Sequence, residues 1–124
     1  MDNRMTWGKD MDDALLFNGC IINQEVMFNA NMNELRSLAG NGECVSLNAP
    51  TARCLLLLLQ NKGKVISRDE FLASVWETRG VVVSQNTFYQ NISLLRKSLV
   101  RAGLSEDIII TVRQKGFSIA PATM

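Results

Sequence analysis

Residues 84–100, SQNTFYQNISLLRKSLV, repeat apolar positions with the period of an α-helix. Four apolar residues follow one another at spacings of four, three and four, which predicts one buried helix face: Phe88, Ile92, Leu95 and Leu99. At about 100° per residue, a second set lies on the opposite side of the helix: Asn86, Gln90, Ser93 and Lys97. All but the lysine are amides or hydroxyls, whereas a merely solvated helix usually carries Glu and Lys there.

Two more helices are predicted upstream of this one. In NAPTARCLLLLLQNKGK, Asn48 can cap a helix and Pro50 falls in its first turn, where the missing N–H costs nothing. The leucines at 55–59 indicate that this helix is buried nearly all round. In SRDEFLASVW, Ser67 and Glu70 have the spacing of a capping box. The apolar positions that follow predict a second buried face: Phe71, Leu72, Val75 and Trp76.

Short apolar runs near both ends of the chain predict β-structure. In residues 14–47 such runs flank Asn41-Gly42, a strong hairpin signal, so we expect a small antiparallel sheet. Residues 108–120 predict a β-hairpin with a basic tip. The order is that of an α+β winged helix-turn-helix domain with an N-terminal antiparallel β-sheet (14–47), three helices (48–100) and a C-terminal hairpin wing (108–120).

Composition narrows the class of protein. A chain of 124 residues with 47% hydrophobic content fits one domain with a real core, preceded by a polar, acidic flexible tail at 1–13. No segment approaches the roughly 20 apolar residues that span a bilayer, and no secretory signal is evident, so we expect a cytoplasmic protein. With no histidine and three cysteines without CxxC spacing, we predict reduced thiols, no metal, no cofactor and no enzymatic activity.

Charge is distributed unevenly along the chain. Residues 1–60 carry four cations against seven acids, a net charge of −3. Residues 79–124 carry six cations against two acids, a net charge of +4. The basic part contains the helix with the amide stripe, which suggests an anionic partner at that end of the molecule.

The polar stripe has a chemical interpretation. Asn and Gln donate and accept hydrogen bonds together, which suits the N6 and N7 edge of adenine in the major groove. Arg96, Lys97 and Arg101 would add attraction to phosphates. Arg113 and Lys115, at the predicted hairpin tip, would reach a neighbouring groove or the backbone. The helix at 84–100 is therefore predicted to be a recognition helix.

Three stretches together resemble a known family. GKVISRDEFLASVW, NISLLRKSL and IITVRQKGF have the order and spacing of the OmpR/PhoB-type winged helix-turn-helix DNA-binding domain, and their details are closest in character to CadC/ToxR-like one-component regulators. The resemblance covers roughly residues 14–120. Each stretch alone would be a weak signal, whereas the combination is specific.

The resemblance implies a function and a set of contacts. The implied function is sequence-specific binding of double-stranded DNA by a bacterial transcriptional regulator, with helix 84–100 in the major groove and wing 108–120 on the adjacent backbone or minor groove. Trp76 matches a position whose indole can reach a phosphate. The remaining implied DNA contacts are Asn86, Thr87, Gln90, Asn91, Ser93, Leu94, Arg96 and Lys97 in the helix, and Thr111, Arg113 and Lys115 in the wing.

Further partners follow from the same resemblance. The loop at 77–83 matches a segment that can touch RNA polymerase, and family members bind direct repeats as head-to-tail dimers. CadC/ToxR-like proteins are anchored in a membrane, so the chain is expected to be either the cytoplasmic part of such a protein or a small regulator by itself. Neutral residues stand at several helix positions where relatives have basic ones, so base preference does not transfer. The alternative reading is a winged-helix protein–protein interaction module without specific DNA binding.

Overall fold

A computed structural model of the chain describes residues 19–39 and 43–120. Its first element is a four-stranded antiparallel meander in the order β1-β2-β3-β4, with β1 at Gly19–Ile22, β2 at Val26–Asn29, β3 at Glu34–Ser37 and β4 at Cys44–Ser46. The predicted small sheet is therefore confirmed. The predicted tail at 1–13 and the predicted turn at 41–42 lie outside the described residues, although the strands on either side of that turn do pair.

One face of this sheet packs on the helices. Strand residues alternate between buried and accessible positions, as expected for a sheet with one buried face. The buried apolar ones are Ile22, Val26, Phe28, Leu35 and Val45. Between β1 and β2, Asn23 and Gln24 have φ values of 52° and 59°. Two consecutive left-handed residues match the twist of a tight hairpin, and asparagine tolerates that conformation well.

Helix α1 (Ala49–Gln60) begins as predicted, with the Asn48 side chain accepting the Thr51 N–H at 2.9 Å and proline in the first turn. Helix α2 (Arg68–Phe71) begins with the predicted capping box between Ser67 and Glu70. It continues as a π-helical turn at Leu72–Trp76 and a 3-10 turn at Glu77–Arg79. The wider turn buries Val75 and Trp76 together with Phe71, and it was not predicted, because the apolar pattern fits either kind of helix.

Helix α3 spans Gln85–Arg101 and begins at the predicted cap, where Ser84 Oγ accepts the Thr87 N–H at 3.1 Å. Its apolar face is buried as predicted, with exposures of 0–2% at Phe88, Ile92, Leu95 and Leu99. The hairpin that follows consists of β5 (Ile109–Val112) and β6 (Gly116–Ile119). We refer to residues 109–119 as the wing.

The wing is tied to the connection between α1 and α2. Ile66 forms an antiparallel bridge with Phe117, through hydrogen bonds of 2.8 and 3.0 Å between their backbone groups. Gly116 adopts φ of 145°, and a Cβ there would lie 2.0 Å from the Ile66 carbonyl oxygen. Only glycine therefore allows the two backbones to come this close.

Candidate nucleic-acid interface

The outer face of α3 carries an open polar surface. Asn86, Gln90, Ser93 and Lys97 are all exposed, on the side of the helix opposite its buried face. Together with Tyr89 and Leu94 they line one shallow concavity. We call these six residues the reading face. The predicted stripe is thus a continuous surface, and all of its side chains except Tyr89 were predicted to contact DNA.

Tyr89 is the member of the reading face that was not predicted to contact DNA. Its ring packs at 5.0 Å from Phe88 and 6.4 Å from Phe117, yet the residue is 45% exposed. An aromatic side chain with one packed edge and one wet edge can present its hydroxyl as a hydrogen-bond donor. The signal for this residue in the sequence was an aromatic side chain next to the apolar stripe, on the flank of α3 that faces the wing.

Asn91 lies on the flank of α3 that faces α1. Its Oδ1 accepts a hydrogen bond from Thr51 Oγ1 at 2.8 Å, and its Nδ2 donates to the Thr87 carbonyl oxygen at 2.9 Å. At about 100° per residue, Asn91 lies about 140° around the helix from Asn86. The structure therefore does not bring Asn91 into the reading face, and both ends of its amide already have partners. Thr87 is half-buried one turn earlier on the same flank.

Arg96 lies on the other flank of α3 and faces the wing. Its Nη2 donates to the Ile109 carbonyl oxygen and to Thr111 Oγ1, both at 3.0 Å. Its Nε lies 3.0 Å from Asp107 Oδ2, as an ion pair whose N–H is not aligned on that oxygen. Two predicted contact residues, Arg96 and Thr111, are thus hydrogen-bonded to each other.

The tip of the wing is cationic and open to solvent. Arg113 and Lys115 are exposed in the turn between β5 and β6, on either side of Gln114, which has φ of 65°. A cleft runs from this turn past Tyr89 to the start of α2, where Arg68 forms part of its lining. Arg68 was not predicted as a contact residue, although it follows the helix-capping serine directly in sequence.

Trp76 lies inside the molecule, with 5% of its surface exposed. Its ring packs edge-on against Phe88 at 6.5 Å. The structure places Trp76 among core aromatic residues, behind the reading face.

Beyond Trp76, Arg79 lies close enough to Arg53 of α1 to lower the pKa of that guanidinium, although burial is the larger cause. This second pair of cations was also not predicted.

The described residues contain few groups suited to other chemistry. No cluster of His, Cys, Asp or Glu side chains in this part of the chain is placed to hold a metal ion. Burial raises the pKa of the Cys20 thiol to about 11 and that of Cys54 to about 12, so both remain protonated at neutral pH. No helix within these residues has the length and apolar character needed to cross a membrane.

The N-terminal sheet, the three helices and the wing together define an OmpR/PhoB-type winged helix-turn-helix. Residues 42–119 match the family described as "Transcriptional regulatory protein, C terminal". The chain belongs to this family, whose members are DNA-binding domains of transcriptional regulators. The predicted fold and the predicted family are both confirmed.

Individual proteins similar to this chain agree with that assignment. The uncharacterized protein YqeI of Escherichia coli is 37% identical over 100 residues, which cover 80% of this chain and 37% of that protein. The chain thus spans little more than a third of this relative's length. The DNA-binding domain of E. coli CadC superposes with a TM-score of 0.67 at 28% identity, covering 81% of this chain and 90% of that one.

A second similar structure is a complex of a DNA-binding domain of this fold. The DNA-binding domain of Klebsiella pneumoniae RstA, in complex with the RstA box, superposes with a TM-score of 0.63 at 25% identity. The match covers 85% of this chain and 99% of that one. A DNA-binding domain of this shape therefore forms a complex with the RstA box in that protein.

Proposed function

We propose that this chain binds specific sequences in double-stranded DNA, with α3 in the major groove and the wing on the adjacent backbone or minor groove. The observation that carries the proposal is the reading face: an exposed polar surface on a helix that is held by its opposite, fully buried face. The RstA domain bound to its DNA box has the same fold, which supports this use of the fold.

Residues of the reading face differ in the contacts they offer. The amides of Asn86 and Gln90 suit base edges, and the Ser93 hydroxyl can serve several bases. Leu94 is 42% exposed, and its apolar side chain suits the methyl group of thymine. Lys97 supplies a cation for phosphates. Different residues would thus provide specificity and affinity.

The wing would supply further cations. Arg113 and Lys115 extend from its tip into solvent, where they can reach a phosphate or the minor groove beside the major-groove site. Arg68 borders the same cleft and would meet the DNA backbone between the wing tip and the reading face. Trp76 is nearly buried, so its predicted phosphate contact would depend on the edge of the indole alone.

Selection from a random duplex library tests DNA reading directly. The protein should enrich a defined sequence motif, and its affinity for that motif should fall steeply with added salt, because phosphate contacts release counterions. A protein that enriches no motif and whose binding hardly responds to salt would refute specific DNA binding. It would favour the alternative of a protein-interaction module.

A second surface supports contact with a protein. After the 3-10 turn, Gly80 has a left-handed backbone with φ of 75°, and the chain that follows exposes Val81 by 44% and Val82 by 87%. Exposed apolar side chains on a loop beside the recognition helix suit a protein partner, and we propose RNA polymerase. Val82→Ser should leave DNA affinity unchanged and lower transcription from a bound promoter in a purified system. Unchanged transcription would refute this role.

The uneven charge of the chain supports assembly on DNA. Residues 1–60, with a net charge of −3, and residues 79–124, with a net charge of +4, would attract each other between neighbouring copies in a head-to-tail dimer on direct repeats. Two half-sites in the same orientation should then be bound cooperatively, and inverted half-sites should not. Because DNA is the partner, we place this domain in the cytoplasm, whether or not a longer natural chain is anchored in a membrane.

A further inference from the structure

One side chain of α3, that of Arg96, forms hydrogen bonds to the wing. Arg96 donates two hydrogen bonds of 3.0 Å, one to the backbone of β5 at Ile109 and one to the side chain of Thr111. Its guanidinium carbon lies 5.8 Å from the centre of the Phe117 ring in β6. A single residue of the recognition helix thus contacts both strands of the wing.

Asp107 completes this arrangement from just before the wing. Its Oδ2 lies 3.0 Å from Arg96 Nε, and its Oδ1 accepts the Ile109 N–H at 3.0 Å. The carboxylate therefore fixes the first residue of β5 and holds the arginine that contacts the same strand. A planar guanidinium with several donors suits such a junction better than the single ammonium group of lysine.

The side chain of Arg96 is about a third exposed, at 32%, and the donors that it uses face the wing. The adjacent Lys97 faces outward in the reading face instead. Two neighbouring cations of α3 therefore differ in direction. One points toward the space where DNA would lie, and the other points into the protein's own wing.

We propose that Arg96 and Asp107 are positioning residues that set the wing relative to the recognition helix, and that Arg96 does not itself bind a phosphate. The proposal rests on the proposed function and deepens it. Spacing between helix and wing determines whether the wing tip and the reading face can engage one duplex together. The pair therefore acts on DNA binding through Arg113 and Lys115.

The two possible roles predict opposite signs for Asp107. If Arg96 were a phosphate contact, removing the nearby carboxylate would free that arginine and reduce repulsion of DNA, so affinity would rise. If the pair positions the wing, the same change weakens binding. For a partly exposed pair the expected loss is about two- to fivefold. The sign of the change, more than its size, distinguishes the two roles.

Electrophoretic or fluorescence titrations with the duplex selected by the wild-type protein measure this sign. Asp107→Ala should weaken binding, and Asp107→Asn should weaken it less, because the amide oxygen can still accept the Ile109 N–H. Glu106→Ala is the matched control, since it removes an adjacent exposed acid that makes none of these contacts, and it should leave affinity equal or slightly higher. Tighter binding by Asp107→Ala would overturn the proposal.

Variants of Arg96 provide the second measurement. Arg96→Lys keeps the charge but loses the planar donors, so it should weaken binding nearly as much as Arg96→Ala, by about tenfold. Arg113→Ala should then cost little in the Arg96→Ala background, because the wing is already misplaced. Full binding by Arg96→Lys, or additive losses in the double variant, would identify Arg96 as a phosphate contact instead.

Amide NMR spectra without DNA separate this proposal from the proposed function. Asp107→Ala and Arg96→Ala should shift the resonances of the wing. The shifts should include residues of β6, which is not adjacent in sequence to either substituted residue. Spectra that change only at the neighbours of the substituted residue would overturn the positioning role, whatever the protein binds. Absence of DNA binding by the wild-type protein would refute the proposed function alone.

Discussion

Thr51→Val tests how the recognition helix is held in place. Thr51 is fully buried, at 0% exposure, and its hydroxyl donates to Asn91 Oδ1 at 2.8 Å. Valine has nearly the same shape but replaces the hydroxyl with a methyl group. The change therefore removes one hydrogen bond between α1 and α3 and leaves the Asn91 oxygen without this donor.

The size of the effect follows from these contacts. A lost hydrogen bond costs about 0.5 to 1.5 kcal/mol, and an unsatisfied buried acceptor costs about 1 to 3 kcal/mol. Asn91 is only half-buried, so water can partly replace the lost donor. We expect the free energy of unfolding to fall by about 1 to 2 kcal/mol. For a domain of this size, each kcal/mol lowers the melting temperature by about 4 °C.

Urea denaturation of four proteins measures the contact itself: the wild type, Thr51→Val, Asn91→Ala and the double variant. Loss of the shared hydrogen bond should make the double variant less destabilised than the sum of the two single variants, by about 1 kcal/mol. Thr51→Ser is the control, because it keeps the hydroxyl. Additive effects, or a Thr51→Val variant that unfolds with the wild type, would refute the contact.

The same variants decide whether Asn91 reads bases. Thr51 is buried and cannot touch DNA, so any change that Thr51→Val makes in sequence preference must act through the position of α3. We expect Thr51→Val and Asn91→Ala to weaken binding to the selected site similarly. A loss of base preference at one position in Asn91→Ala alone would show that Asn91 contacts a base.

Three further predictions concern the core, the reading face and the response to acid. Leu95→Ala should lower the free energy of unfolding by about 2 to 5 kcal/mol in thermal or urea melts, because its side chain is fully buried; a wild-type melt would contradict the packing of α3. Gln90→Ala should cost about 1 to 3 kcal/mol on the selected site and little on random duplex. Lys97→Ala should weaken binding to the selected site and to random duplex alike, and it should reduce the slope of log affinity against log salt by about one. If Gln90→Ala weakened both duplexes alike and Lys97→Ala weakened only the selected site, the two residues would have each other's role. Finally, the Ser105 N–H donates to Glu25 at 3.0 Å and lowers the pKa of that carboxyl. The resulting stability is present above the ordinary glutamate pKa of about 4.3 and is lost as pH falls through the lower value in the folded protein. Glu25→Gln should therefore flatten the acid side of a stability curve, and an unchanged curve would contradict this contact.

Local signals in the sequence predicted the helix starts correctly. Asn48, Ser67 and Ser84 each cap the helix for which they were predicted, because a cap depends only on residues within one turn of it. The buried stripe of α3 was equally local, since it follows from the helical period. These signals require no knowledge of what the helix packs against.

Contacts between elements that are distant in sequence could not be predicted from such local signals. Asn91 is held by Thr51, a residue 40 positions away, and Arg96 by acceptors 13 and 15 positions away. A stripe drawn on an isolated helix shows which side chains lie on its flanks, but not which elements cover those flanks. The sequence therefore predicted which side of α3 is exposed, but not the partners of Asn91 and Arg96, and the DNA contacts themselves stay predictions.

The bridge between Ile66 and Phe117 has a consequence for how the domain is synthesised. The strand β6 is nearly the last described part of the chain, yet its partner in the bridge precedes helix α2. The bridge at Ile66, in the middle of the chain, therefore cannot form until β6 has been synthesised. On the ribosome, we expect the domain to acquire its full stability only after residue 119 has emerged, and a chain interrupted before Gly116 would leave a partly assembled core exposed to proteolysis.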